Sequence, residues 1–153
     1  MASQIAVTMK NVLSALQKLG IFDRCQGVEP KSPPGTGVTA ALYFAGMGPA
    51  SSASGLGRAS TLYVLTLRIY HNMLTEPAEA IDPTLLQAVD AVLDALAEDI
   101  DLGATVRNVD FFGSAGTPLS AKAGYVDVGG TIFRCVDVTI PVIVNDSVED
   151  FTP

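Results

Sequence analysis

Between residues 125 and 145 polar and apolar positions alternate on a period of two, interrupted at Gly129-Gly130. Past that pair, Ile132, Arg134, Val136, Val138, Ile140, Val142 and Val144 fall on one side of an extended chain. Phe133, Cys135, Asp137, Thr139, Pro141 and Ile143 fall on the other. One face is almost wholly β-branched and the other is mixed. Two adjacent glycines supply the positive φ angles of a two-residue hairpin turn. The pattern predicts a β-hairpin whose long second strand joins a sheet with one buried face. No reactive side chain is set along that dry face, which points to a structural part rather than a catalyst.

Two helical periods precede the hairpin. Ile5, Met9, Val12, Leu13, Leu16 and Leu19 form one stripe, with Ser3 as a cap and Gly20 as a stop. Asp82 as N-cap and Pro83 at the first helical position open a second helix. Its buried face is read as Leu85, Leu86, Val89, Val92, Leu93, Leu96 and Ile100, and Gly103 ends it.

Strand-like runs fill much of the rest. Residues 21–37 contain Pro30, Pro33, Pro34, Gly35 and Gly37 and are expected to be irregular. Residues 38–45 alternate as a strand. Residues 61–72 form a second long strand, apolar on both faces as in a central strand covered on two sides. Residues 46–60, GMGPASSASGLGRAS, separate the two. A stretch so rich in Gly, Ser and Ala cannot bury enough apolar surface to offset its ordering entropy. It is expected to be a flexible loop, and in its functional version one that orders against a neighbouring subunit. A short strand over residues 106–112 and a turn over 113–118 lead into the terminal hairpin. Strands joined through hairpins, with two main helices packed on one face, predict an α+β fold with a largely antiparallel or mixed sheet. With no internal repeat and no linker, the 153 residues are expected to form a single domain, 1–153.

Composition narrows the function. Only 16% of residues are charged against 48% hydrophobic, which suits a surface partly covered by other subunits or simply an Ala- and Gly-rich chain. The net charge is -7, and the nine Lys and Arg are scattered without a cluster. Binding through nucleic-acid phosphates needs a basic patch, so specific DNA or RNA binding is disfavoured. A surface that nucleic acid slides past without sticking remains compatible. No charged segment followed by an apolar run opens the sequence, and no apolar stretch reaches membrane-spanning length.

Candidate chemistry is sparse. Asp90, Asp94 and Glu98 recur at spacing four and share one helix face, with Asp99 and Asp101 beyond them. Like charges there repel and oppose the helix dipole. The stripe reads either as a solvated outer face or as a lumen or partner surface. No His or second acidic segment accompanies it as a co-ligand, so no metal is expected. His71 is the single histidine, and Cys25 and Cys135 show neither metal spacing nor a nucleophile elbow. Both cysteines read as partly buried thiols, with a disulfide between them left open. SPPGTG (32–37) and GMGPASSASGLG (46–57) lack the Lys-Ser/Thr pair of a phosphate loop and the context of a dinucleotide site. No catalytic residue, cofactor or metal is expected.

The element order resembles that of the tail terminator proteins of long-tailed, siphovirus-like bacteriophages. The landmarks are VTAALYFAG (38–46), STLYVLTLRIYHNM (60–73), IDPTLLQAVDAVLDAL (81–96) and TIFRCVDVTIPVIVND (131–146). The long Gly/Ser loop and the extended terminal hairpin depart from that pattern. The resemblance implies a non-enzymatic virion protein assembled in the host cytoplasm. It implies a homo-oligomeric ring, typically a hexamer, that caps the head-proximal end of the tail tube. Its partners would be the tail tube protein and the head–tail connector or neck proteins, with genomic DNA passing through the lumen and no membrane involved. Gly46, Met47, Leu56 and Arg58 would then meet a neighbouring subunit, and Asp90, Asp94 and Glu98 a lumen or partner surface. Two alternatives stand beside it: another tail or neck component, such as a tube, completion or connector protein, and a small cytoplasmic α+β enzyme or ligand-binding domain.

Overall fold

The structure is a computed structural model and describes residues 4–28, 37–50, 58–72, 78–103 and 106–149. It is an α+β fold: six strands in one mixed sheet, with two helices packed on one face. The strand order is β1-β2-β3-β6-β4, and β5 also pairs with β6.

Helix α1 (Gln4–Gln17) follows the predicted stripe, with Val12 and Leu16 fully buried and Gly20 beyond it at a φ of 67°. The Ser3 cap lies outside the described residues. Strand β1 (Arg24–Gln26) was not expected. It lies within the segment read as irregular and pairs parallel with Thr39–Ala41 of β2 (Val38–Pro49). Three residues are too few to show a period.

Strand β3 (Arg58–Asn72) pairs antiparallel with β2 on one side and with β6 (Thr131–Glu149) on the other. Tyr63, Leu65, Leu67 and Ile69 face the helices, as do Ala40 and Leu42 of β2 and Val136, Val138, Ile140, Val142 and Val144 of β6. The β-branched face seen in the sequence is therefore the floor of the main core. Each Leu, Ile or Val buried there stabilises the fold by about 1.5–3 kcal/mol relative to exposure.

The opposite face has no helix among the described residues and holds two smaller clusters. One contains Ala41, Tyr70, Val128, Phe133 and Cys135; the other contains Ala50, Leu62 and Ile143. Tyr70 and Phe133 meet edge to face with ring centroids 6.2 Å apart. Thus β3 is central, apolar on its helix side and mixed on the other, which among the described residues is covered only in patches.

Helix α2 (Ile81–Glu98) starts two residues earlier than expected, after a 3-10 turn at Ala78–Ala80. Ala80 is the N-cap, with no side-chain cap bond, and the Thr84 hydroxyl donates to the Ala80 carbonyl at 2.7 Å. Asp82 is therefore in the first turn rather than at the cap, where its charge still suits the helix dipole. Its carboxylate instead accepts from Arg134 Nε at 3.0 Å, tying the helix start to β6. Leu85, Val89, Val92 and Leu96 are buried as read, but Leu86 and Ile100 are exposed. The stripe is narrower than the sequence suggested.

The short strand expected over 106–112 shrinks to β4 (Asn108–Val109), paired with Val142 and Ile143 of β6. Strand β5 (Ser120–Val128) pairs with β6 from Ser120 opposite Thr139 to Val128 opposite Thr131. Gly129 and Gly130 turn the hairpin at φ of 58° and 87°, as their sequence required.

Candidate assembly surfaces

The loop expected over residues 46–60 is shorter than its composition suggested. Gly46–Pro49 continues β2 and Arg58–Ser60 begins β3, so the hairpin extends as a ribbon. Register shifts between Phe44 and Gly46, and between Ala59 and Thr61, mark bulges on both strands. Tertiary pairing overrides the local preference of Gly and Ser here, because β3 is held by β6 as far as Arg58 opposite Glu149. Gly46 and Met47 sit in the ribbon opposite Val64 and Tyr63, with Met47 exposed. Arg58 is the first residue of β3. Leu56 lies outside the described residues.

Asp90, Asp94 and Glu98 are exposed along α2, on a different element from the ribbon. Glu98 borders a recess. It lines, with Asp99, a groove of about 380 Å³ between the C-terminal halves of α1 and α2. The floor includes Leu16, Leu19, Leu96 and Leu102, and Lys18 stands at the rim. No group of three or more His, Cys, Asp or Glu positioned for a metal occurs among the described residues.

Among the described residues the sheet is open at both sides. On the outer side of β2 the β1 pairing covers only Thr39–Ala41, and no described strand lies beside Phe44–Pro49. On the other side β5 pairs only with β6 along nine residues, most of them exposed. Such edges present backbone donors and acceptors to another strand unless bulges, Pro or charge block them. Strand β5 has no Pro, and its charged residues are Lys122 and Asp127. Its exposed stretch from Ser120 to Ala123 is built mainly of small residues.

The two cysteines are free thiols on opposite faces of the sheet. Cys25 packs against the helix-side core, and Cys135 sits in the helix-free cluster. Burial pushes the Cys25 thiol up to about 11. Burial, and then the charge of Asp137, raises that of Cys135. Thiols held protonated are poor nucleophiles at neutral pH. His71 is buried in β3 opposite Arg134 and Val38.

One feature escaped the sequence reading. Asp110 is only 4% exposed, and its carboxylate accepts from the Ser114 amide (3.0 Å), the Ser114 hydroxyl (2.9 Å) and the Ala115 amide (2.9 Å). Backbone bonds Gly113 N to Asp110 O, Gly116 N to Gly113 O and Leu119 N to Phe111 O complete the loop. At its tip Phe112 is 98% exposed. The Asp before a Ser- and Gly-rich turn was the available signal, since Asp side chains commonly bond nearby backbone N–H groups.

No protein-family model and no curated protein matches this chain. Among solved structures it is similar to a chain of the virion of a native gene transfer agent particle: 20% identity, 90% of this chain and 91% of that one, TM-score 0.46. It is also similar to a chain in the cryo-EM structure of an extracellular contractile injection system, described as its sheath/tube terminator in the extended state. There the identity is 15%, all of this chain is covered and the TM-score is 0.46. This chain spans 61% of that second, longer chain.

Proposed function

We propose that the chain is a structural, non-enzymatic subunit of a phage-type tail, and specifically a tail terminator. As a ring, typically a hexamer, it caps the head-proximal end of the tail tube, ends tube growth and joins the tail to the neck, with DNA passing through its lumen. The observation that carries this reading is that, among the described residues, the sheet is left unpaired along both sides, β5 on one and the β2 ribbon on the other. Two different open edges on one subunit suit a head-to-tail contact, which closes into a ring when the rotation fits. The resemblance in element order to tail terminators supplies the particular role. A net charge of -7 suits a channel through which DNA moves without being held.

On this reading the chain acts as one domain. Gly46, Met47, Leu56 and Arg58 contact a neighbouring subunit, and Asp90, Asp94 and Glu98 face the lumen or a partner. Native mass spectrometry over a concentration series, with negative-stain images of the same sample, tests it. Closed rings, or a monomer that forms rings once tail tubes are added, are expected. Open-ended tubes would move the assignment to a tube protein. A monomer indifferent to concentration and to tubes would overturn it.

A further inference from the structure

Strand β5 is fixed at its two ends and loose between them. Leu119, just before it, packs on the main core, and its amide donates to the Phe111 carbonyl at 3.1 Å. Val126 and Val128, at the far end, pack with Tyr70, Phe133 and Cys135 on the helix-free face. Ser120, Ala121, Lys122 and Ala123 are all exposed, although alternate residues of a strand point to opposite faces of a sheet. Neither face of this stretch is therefore buried, and among the described strands its backbone pairs with β6 alone. A segment with few buried contacts and a single ladder of backbone bonds opens locally at low cost.

The helix side shows what holds it. A cleft of about 70 Å³, lined by Leu85 and Leu86 of α2, Ala123 of β5 and Val136 of β6, lies beneath the strand. Arg134 bridges this cleft. Its Nε donates to Asp82 at 3.0 Å and its Nη1 to the Gly124 carbonyl at 3.3 Å, while its guanidinium carbon lies 4.6 Å from the centre of the Tyr125 ring. The Asp82 side chain is 60% exposed and Tyr125 is 64% exposed. An ion pair and a cation–π contact this open to water are each weak, so the latch they form is reversible.

We propose that Ser120–Gly124 is a strap, latched by Arg134, that opens from β6 in the free chain and is held closed when the next subunit pairs along its outer edge. This rests on the reading of β5 as a subunit contact and names what regulates that contact. Only the closed strap offers a regular row of backbone donors and acceptors. Each chain with an open strap is therefore withdrawn from the pool that can bind, and apparent association weakens in proportion.

The first test is amide hydrogen exchange in the free chain, read residue by residue by NMR. The β5 amides bonded to β6 are expected to exchange about 100-fold faster than those of β3. Arg134→Met removes the latch and keeps an apolar stem, and should speed β5 exchange a further 3- to 10-fold or so without changing β3. Exchange of β5 in step with β3, or unmoved by Arg134→Met, would overturn the strap. The second test locks it. Gly124 stands opposite Cys135, and a Cβ there would meet nothing within 4 Å. Opposite residues of an antiparallel pair lie within disulfide reach. Gly124→Cys combined with Cys25→Ala therefore allows a disulfide from the strap to β6. The oxidised form is expected to associate about 3- to 10-fold more tightly than the same protein reduced. Equal association of the two forms would overturn the coupling and leave the ring standing. Monomers in every form, with tubes present, would overturn the ring reading and the coupling with it, while the exchange rates alone decide the strap.

Discussion

Arg68 and Asp137 face each other across β3 and β6 on the helix-free side, with Nε to Oδ1 at 2.6 Å and a second bond from Nη2 to Oδ2 at 3.0 Å. The Asp137 hydrogen bond holds the guanidinium pKa well above its ordinary value, against the opposing effect of burial. The Tyr43 ring lies 5.8 Å from the guanidinium carbon. These groups let a sheet face without a helix over it remain partly polar. Alkaline pH probes the other face. Cys25 titrates at about 11 in the fold against 9.0 as its ordinary value. Its folded pKa is raised, so its contribution to stability is complete below pH 9 and is lost as pH climbs from 9 towards 11. Cys135 and Tyr63 are shifted in the same direction by burial. The expected result is that denaturation midpoints fall from pH 8.5 to 10.5, and fall less steeply in Cys25→Ala. Parallel pH profiles for the two proteins would show that the Cys25 thiol is not desolvated.

Two glycines of positive φ separate conformational strain from crowding at the level of the turn. Gly130, at φ 87°, ends the β5–β6 turn, and a Cβ there would meet nothing within 4 Å. Gly113, at φ 73°, closes the Asp110 loop, and its Cβ would come within 2.7 Å of the Pro118 backbone nitrogen. Gly130→Ala should cost about 1 kcal/mol from backbone preference alone. Gly113→Ala carries the same preference plus a clash with backbone that cannot rotate away, so its loss in a urea titration should be clearly larger. Equal losses would contradict the crowded loop geometry. These elements also show what the sequence could disclose. The terminal hairpin was legible because alternation and Gly-Gly act over a few residues. The two helices were legible from their apolar stripes. Strand β1 and the ribbon ends at Gly46–Pro49 and Arg58–Ser60 were not, because long-range pairing orders them against weak local preferences. The exposure of Leu86 and Ile100 was hidden for a related reason: how much of a helix stripe is covered depends on the sheet beneath it. Of the candidate site, the acidic stripe was visible as a pattern, whereas the groove and Phe112 exist only once α1, α2 and the Asp110 loop are in place.

At the scale of the whole molecule, the two open sheet edges make a prediction that distinguishes head-to-tail assembly from any symmetric pairing. If β5 of one copy meets the β2 ribbon of the next, each subunit has one donor side and one acceptor side. Lysines discourage edge pairing by placing desolvated charge where a neighbour must sit. A variant with Ala121→Lys and Ala123→Lys blocks the β5 side, and a variant with Ala45→Lys and Met47→Lys blocks the ribbon side. These positions are exposed, so both variants should keep the stability of the parent chain to within about 1 kcal/mol. Neither should form rings alone, because every subunit lacks the same side. Mixed in equal amounts, they still hold one intact β5 edge and one intact ribbon edge between them. Those two edges can meet once, after which both remaining sides are blocked. The expected product in native mass spectrometry is therefore a one-to-one dimer that grows no further. In a symmetric arrangement each edge meets its own kind, and at least one variant would pair with itself without help from the other. Self-pairing by either variant, or a mixture that stays monomeric while the parent forms rings, would count against edge-to-edge assembly. A dimer that stops at two would show that the sheet itself runs from subunit to subunit.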